Sequence, residues 1–150
     1  MNISIIGPEQ SGKTTLAKQI AKKVAFGRPI YMITDLKNEF TDLQLDNFGV
    51  PSHCVVIVDD ANAILDSTEV YTKDKRFKNK VIKARNYGRV NIYVFHSFDD
   101  AVKLFFRQSR YIYVSKRYRD ESHKNNKFIK GVQPVEVGRG KYLFDRYKRY

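Results

Sequence analysis

Residues 2–6 are apolar apart from Asn2 and Ser4, and they run directly into Gly7, Pro8, Glu9, Gln10, Ser11, Gly12, Lys13 and Thr14, the pattern G-x-x-x-x-G-K-[ST]. No other stretch constrains the fold so tightly. Such a loop folds its backbone N–H groups around a polyphosphate when a strand delivers it and a helix leads away from it. Behind it Leu16, Ile20 and Val24, with Ala17, Ala21 and Ala25, recur at helical spacing, so a strand, a phosphate-cradling loop and an amphipathic helix are predicted here. Residues 7–14 and Thr15 are the expected nucleotide contacts. Lys13 is placed to neutralise β- and γ-phosphate charge, and Thr14 to ligate magnesium.

The chain has 150 residues, one domain by length and large enough to bury about two-thirds of its unfolded surface. No apolar run approaches the roughly 20 residues needed to cross a bilayer, and too few apolar residues precede the loop for a signal peptide, so a soluble chain is predicted. The lone Cys54 excludes an internal disulfide and fits a reducing compartment. Cys54, His53, His96 and His123 lack the short paired spacing of a structural zinc site.

Charge is unevenly placed. The chain carries net +12, yet residues 1–70 hold 6 Lys/Arg against 9 Asp/Glu while residues 71–150 hold 22 against 7. That asymmetry is the footprint of a surface that neutralises nucleic-acid phosphates, with the nucleotide machinery in the other half.

Further along, residues 30–34 and 54–58 read as strands, the second continuously apolar as suits burial on both faces. An irregular connection carrying Phe40, Leu43, Leu45 and Phe48 joins them. Residues 61–65 suit a helical turn and 66–74 a polar loop. Phe77, Val81 and Ala84 sit at helical spacing up to Gly88, and residues 90–95 form a fourth strand. Asp99 and Asp100 open a helix bearing Val102, Phe105 and Phe106, which leads to a strand at 111–114. Residues 116–130 are basic and polar, and 134–144 read as a hairpin turning at 138–140. Strands alternating with helix-length crossovers predict an α/β fold with a mainly parallel sheet covered on both faces, its ligand loops at the carboxyl ends of the strands.

Those ends carry the remaining candidates. Asp59 follows four apolar residues, three of them valines, as a magnesium-holding aspartate does. Asp60 beside it is placed to orient and deprotonate a water for attack on the γ-phosphate, which favours hydrolysis of ATP over transfer to a small acceptor. Alternation lets only one of His96 and Ser97 face the nucleotide, and Ser97 is the expected one. Arg85 and Arg89 flank residues 86–88 and are candidates for an arginine supplied to a neighbouring subunit, with Arg107 and Arg110 as rivals.

Residues 7–14, 55–60 and 85–97 together resemble the FtsK–HerA superfamily of DNA-pumping P-loop ATPases, and among them the small genome-packaging ATPases of viruses. The resemblance covers about the first 115 residues and leaves the basic loop, hairpin and tail at 116–150 outside it. It implies an ASCE or RecA-like sheet, ATP and Mg2+ as cofactors, and a homo-oligomeric ring, commonly of six subunits, around DNA held by its backbone. It further implies work at a viral capsid vertex, in the host cytoplasm or the virion. Two departures stand out: the family usually has glutamate where Asp60 stands and often glutamine where Ser97 stands. Other readings are a nucleoside or nucleotide kinase, with 107–119 as its lid, a filamentous-phage assembly ATPase of the zonular occludens toxin type, and a nucleic-acid-binding module that only switches shape.

Overall fold

Apolar runs too short for helices and too continuous for surface strands become the centre of one sheet. The computed structural model of the chain describes residues 1–65, 75–97, 103–115, 134–137 and 142–145. Strands β1 (Asn2–Ile6), β2 (Ile30–Ile33), β3 (Thr41–Asp42), β4 (Val55–Val58), β5 (Val90–Phe95) and β6 (Ser109–Ser115) pair in parallel, and β7 (Pro134–Val137) with β8 (Tyr142–Asp145) forms an antiparallel hairpin joined to β6. The sheet order is β3-β2-β4-β5-β1-β6-β8-β7. One consequence governs the site: β5 lies between β1, which delivers the phosphate loop, and β4, which ends at Asp59.

Helix α1 (Lys13–Val24) covers one face of the sheet with Leu16, Ala17, Ile20 and Ala21 against Ile3, Ile5, Val55, Ile57, Ile92 and Val94. On the other face α2 (Ala61–Leu65), α3 (Lys75–Ile82) and α4 (Lys103–Gln108) meet Val56, Val58, Tyr93 and Phe95. Adjacent residues of β4 and β5 thus face opposite ways, and both sides of each strand are buried. Each fully buried isoleucine or phenylalanine contributes about 1.5–3 kcal/mol relative to exposure. Helix α1 stops where Phe26 and Gly27 turn left-handed, and Arg28 donates to the carbonyls of Val24 and Ala25 left open by that stop.

One group of buried polar residues, Asn2, Arg89 and Asn91, sits at the amino ends of the strands. Arg89, 1% exposed, donates through Nε and Nη2 to Asn91 Oδ1 at 3.1 and 3.0 Å and through Nη1 to the carbonyls of Phe48 and Pro51 at 2.7 and 2.8 Å. Asn91 Nδ2 donates to Asn2 Oδ1 at 2.9 Å, which also accepts from Tyr93 Oη at 3.0 Å. The network ties β1 to β5 and to the connection before β4, so its acceptors are satisfied without water.

Several boundaries differ from the sequence reading. The pair Thr41–Asp42 is an edge strand, too short for a period-2 signal, inside what reads as an irregular connection, and Leu45–Asn47 forms a 3-10 turn. The helical pattern leading to Gly88 is two elements, α3 and a 3-10 turn at Ala84–Tyr87 closed by Gly88 at φ 63°. Strand β6 is longer than expected, running from Ser109. The polar loop at 66–74, Asp99 and Asp100, the basic segment 116–130, the hairpin turn at 138–140 and the tail after 145 lie outside the described residues. Among the described residues no helix is long and apolar enough to cross a membrane.

Candidate functional site

The loop from β1 to α1 is shaped by its two glycines. A Cβ on Gly7 would lie 2.6 Å from Ser115 Cβ and 2.7 Å from Ser11 Oγ, so no side chain fits without moving a neighbour. Gly7 N–H donates to the Phe95 carbonyl at 3.2 Å, fastening the loop to the end of β5. Gly12 has φ 80°, a left-handed conformation that glycine adopts without strain, and it starts α1 with no side-chain cap. The first turn of α1 holds no acidic residue. Its N–H groups and the positive end of the helix dipole are thus presented to an anion instead of to a capping side chain.

Opposite this helix end stand Asp59 and Asp60. Thr14 Oγ1 donates to Asp59 Oδ1 at 3.0 Å, joining the first turn of α1 to the end of β4. Alternation after Val55 and Ile57 sends Asp59 to the α1 face, and the same rule would send Asp60 to the other. Asp60 escapes it by turning left-handed at φ 49°, a conformation aspartate tolerates better than most residues. Its carbonyl accepts from the N–H groups of Ala63 and Ile64 and so begins α2, whereas its carboxylate turns to His96. Both consecutive carboxylates therefore line the same space.

That space is a cavity of about 310 Å³ bounded by residues 9–15 with Asp59, Asp60 and His96. Its volume is at the low end of the roughly 300–1,000 Å³ usual for ligand pockets. Lys13 is 6% exposed and folds inward, with Nζ donating to the Pro8 carbonyl at 2.7 Å and lying 3.1 Å from His96 Nδ1. Burial lowers its pKa from the usual 10.5, against the opposing pull of Asp59, Glu9 and Asp60. His96 Nε2 is 2.7 Å from Asp60 Oδ1. The chemistry on display is an anion cradle, a pair of hard oxygen donors and a second carboxylate at the mouth.

Gly7 and Pro8 shape the loop from behind, Pro8 through a carbonyl that also accepts from Ser11 Oγ at 2.6 Å. Two expectations need correction. His96, not Ser97, lines the cavity, because β5 continues the α1-facing parity of Ile92 and Val94 to residue 96. Arg89 is no arginine for a neighbour: it is buried and fully engaged at the amino ends of the strands, the edge opposite the cavity. Arg85 is exposed at that same edge, and Arg107 and Arg110 are exposed on α4 and β6. One contributor escapes sequence reasoning. Asn62, in the first turn of α2, accepts at Oδ1 from His96 N–H at 2.5 Å and Ser97 N–H at 3.4 Å, and its Nδ2 donates to the Ser97 carbonyl at 3.3 Å. A polar residue just after the Asp59–Asp60 pair was the available signal.

The fold has counterparts among solved structures. The genome packaging NTPase B204 from Sulfolobus turreted icosahedral virus 2 in complex with ATP-gammaS is similar over 81% of this chain and 76% of that one, with a TM-score of 0.61 and 15% identity. The chain has the fold of a P-loop NTPase. The same B204 in complex with AMP matches at a TM-score of 0.57 and 13% identity over 80% of this chain and 76% of that one. The N-terminal domain of zonular occludens toxin from Neisseria meningitidis matches at 0.51 and 19%, over 75% of each. The likeness is one of fold, and it agrees with the fold implied by the resemblance that residues 7–14, 55–60 and 85–97 carry. No protein-family model and no curated protein matches the chain.

Proposed function

We propose that this chain is a magnesium-dependent ATPase that drives DNA translocation, most simply the packaging of a viral genome. The observation that carries this reading is the meeting of Thr14 and Asp59 at 3.0 Å beneath an uncapped helix start, with Asp60 beside them. The donor set suits the ligands: a hydroxyl and a carboxylate are the hard oxygens magnesium takes, and a cradle that excludes a Cβ at Gly7 leaves backbone close to phosphate. Thr14 and Asp59 would hold Mg2+, which when bound neutralises charge on the phosphates. Residues 7–15 bind the triphosphate, Lys13 meets its β and γ oxygens, and Asp60 orients the attacking water. Any catalytic role for Arg85 is toward a neighbour's nucleotide, since it stands at the sheet edge away from its own cavity.

DNA is the partner that the charge supports. Residues 75–97 hold seven Lys/Arg and no acidic residue, and Lys75, Arg76, Lys78, Lys83 and Arg85 are exposed there. Such a face contacts phosphates without reading sequence. The reading includes a homo-oligomeric ring, commonly six subunits in the superfamily, acting at a capsid vertex in the host cytoplasm or virion.

ATP turnover with and without double-stranded DNA tests it. DNA-stimulated phosphate release that Lys13→Ala abolishes is the expected result. Phosphate transfer to a nucleoside with indifference to DNA would overturn the motor in favour of a kinase.

A further inference from the structure

We propose that His96 is a latch that holds Asp60 while Lys13 carries no phosphate and releases it when a triphosphate claims that lysine. The proposal rests on the nucleotide-site reading above. An ammonium group has no lone pair, so the 3.1 Å contact between Lys13 Nζ and His96 Nδ1 makes Nδ1 the acceptor. The ring proton is then on Nε2, where it donates to Asp60 Oδ1 at 2.7 Å. One tautomer satisfies both ends, and the hydrogen bonds run in one direction from ammonium through imidazole to carboxylate.

The geometry also makes the latch releasable. Lys13 spends its protons on a carbonyl of its own loop and on a neutral ring, both weaker partners for a cation than phosphate oxygens. Its withdrawal leaves Nδ1 without a donor and removes the cation that polarises the Nε2–H bond to Asp60. The His96 and Asp60 side chains are 38% and 54% exposed, so both have room to swing. The backbone beneath does not move with them, because Asn62 holds the N–H groups of His96 and Ser97 from α2. In this scheme Asp60 becomes available to water only once the cradle is filled as far as Lys13, and His96 is a positioning residue that acts through Asp60.

The test is calorimetric titration of AMPPCP and of AMP, each with magnesium, into the wild type, His96→Ala and His96→Gln. Removing a competing hydrogen bond from Lys13 should tighten AMPPCP binding to His96→Ala by about threefold to tenfold. AMP, which lacks the phosphates that reach Lys13, should stay within about twofold. His96→Gln, whose amide both accepts and donates, should return AMPPCP affinity toward the wild-type value. Unchanged or weaker AMPPCP binding by His96→Ala, beside a wild type that binds it, would overturn the latch alone. A wild type that binds no AMPPCP would overturn the nucleotide-site reading and the latch together.

Discussion

Thr14 and Asp59, 45 residues apart in sequence, meet at 3.0 Å and hold the start of α1 against the end of β4. The contact is a single hydrogen bond at the surface of the cavity, so its structural worth is about 1 kcal/mol. Under the proposed function its value to catalysis is greater, because the two oxygens would hold magnesium. Thr14→Val and Asp59→Asn should each lower ATP turnover by about a hundredfold or more while leaving the thermal midpoint within a few degrees. Steady-state kinetics beside a melting curve checks this, and a variant with near-normal turnover would remove that residue from the metal site.

Arg89 makes the opposite prediction. Its guanidinium satisfies Asn91 Oδ1 and two buried carbonyls and lies over the Phe48 ring, 4.5 Å from its centroid. Arg89→Ala strands those acceptors in a dry interior and should cost about 3 kcal/mol or more, a fall of roughly 6–12 °C. Arg89→Lys should not restore it, since one ammonium cannot span acceptors that a fork reaches. A melting curve unchanged by Arg89→Ala would return this residue to the list of candidate interface arginines.

How far these roles were legible in the sequence depends on whether they were local. The phosphate loop, α1 and the parallel strands announce themselves by pattern, and Asp59 follows from its position after an apolar strand. Arg89 does not, because the carbonyls of Phe48 and Pro51 that bury it arrive through tertiary packing. Between His96 and Ser97, alternation says only that the two point apart; deciding which lines the cavity requires knowing that α1 covers the Ile92 and Val94 side. The left-handed turn at Asp60 is likewise a backbone event that its residue type permits without announcing.

Lys13 should trade stability for function. Burial disfavours its charged form, so the folded pKa lies below 10.5. The unfolded chain therefore binds more protons between the folded pKa and 10.5, and stability rises with pH through that window. Below it the cost is present in full. Lys13→Met should raise the thermal midpoint near pH 7, with the gain shrinking toward pH 10.5. Melting curves across that range check the sign, and a midpoint lowered by the substitution contradicts it.

The basic face has a salt signature. Binding to double-stranded DNA should weaken steeply as salt rises, equally for unrelated sequences. Replacing Lys75, Arg76 and Lys78 with Gln should reduce the slope of log K against log salt by about 2–3. Fluorescence anisotropy at several salt concentrations measures both, and a slope untouched by the triple change would move the DNA contact elsewhere.

Asp60 bears the central claim of the proposed function, in which the cradle would bind the triphosphate and the second carboxylate would activate the water that cleaves it. Single-turnover hydrolysis of ATP by Asp60→Asn, with nucleotide affinity measured on the same preparation, isolates it. The expected result is affinity within a few-fold of the wild type and hydrolysis slower by about a hundredfold or more. An Asp60→Asn protein that binds ATP and cleaves it at the wild-type rate would contradict the account.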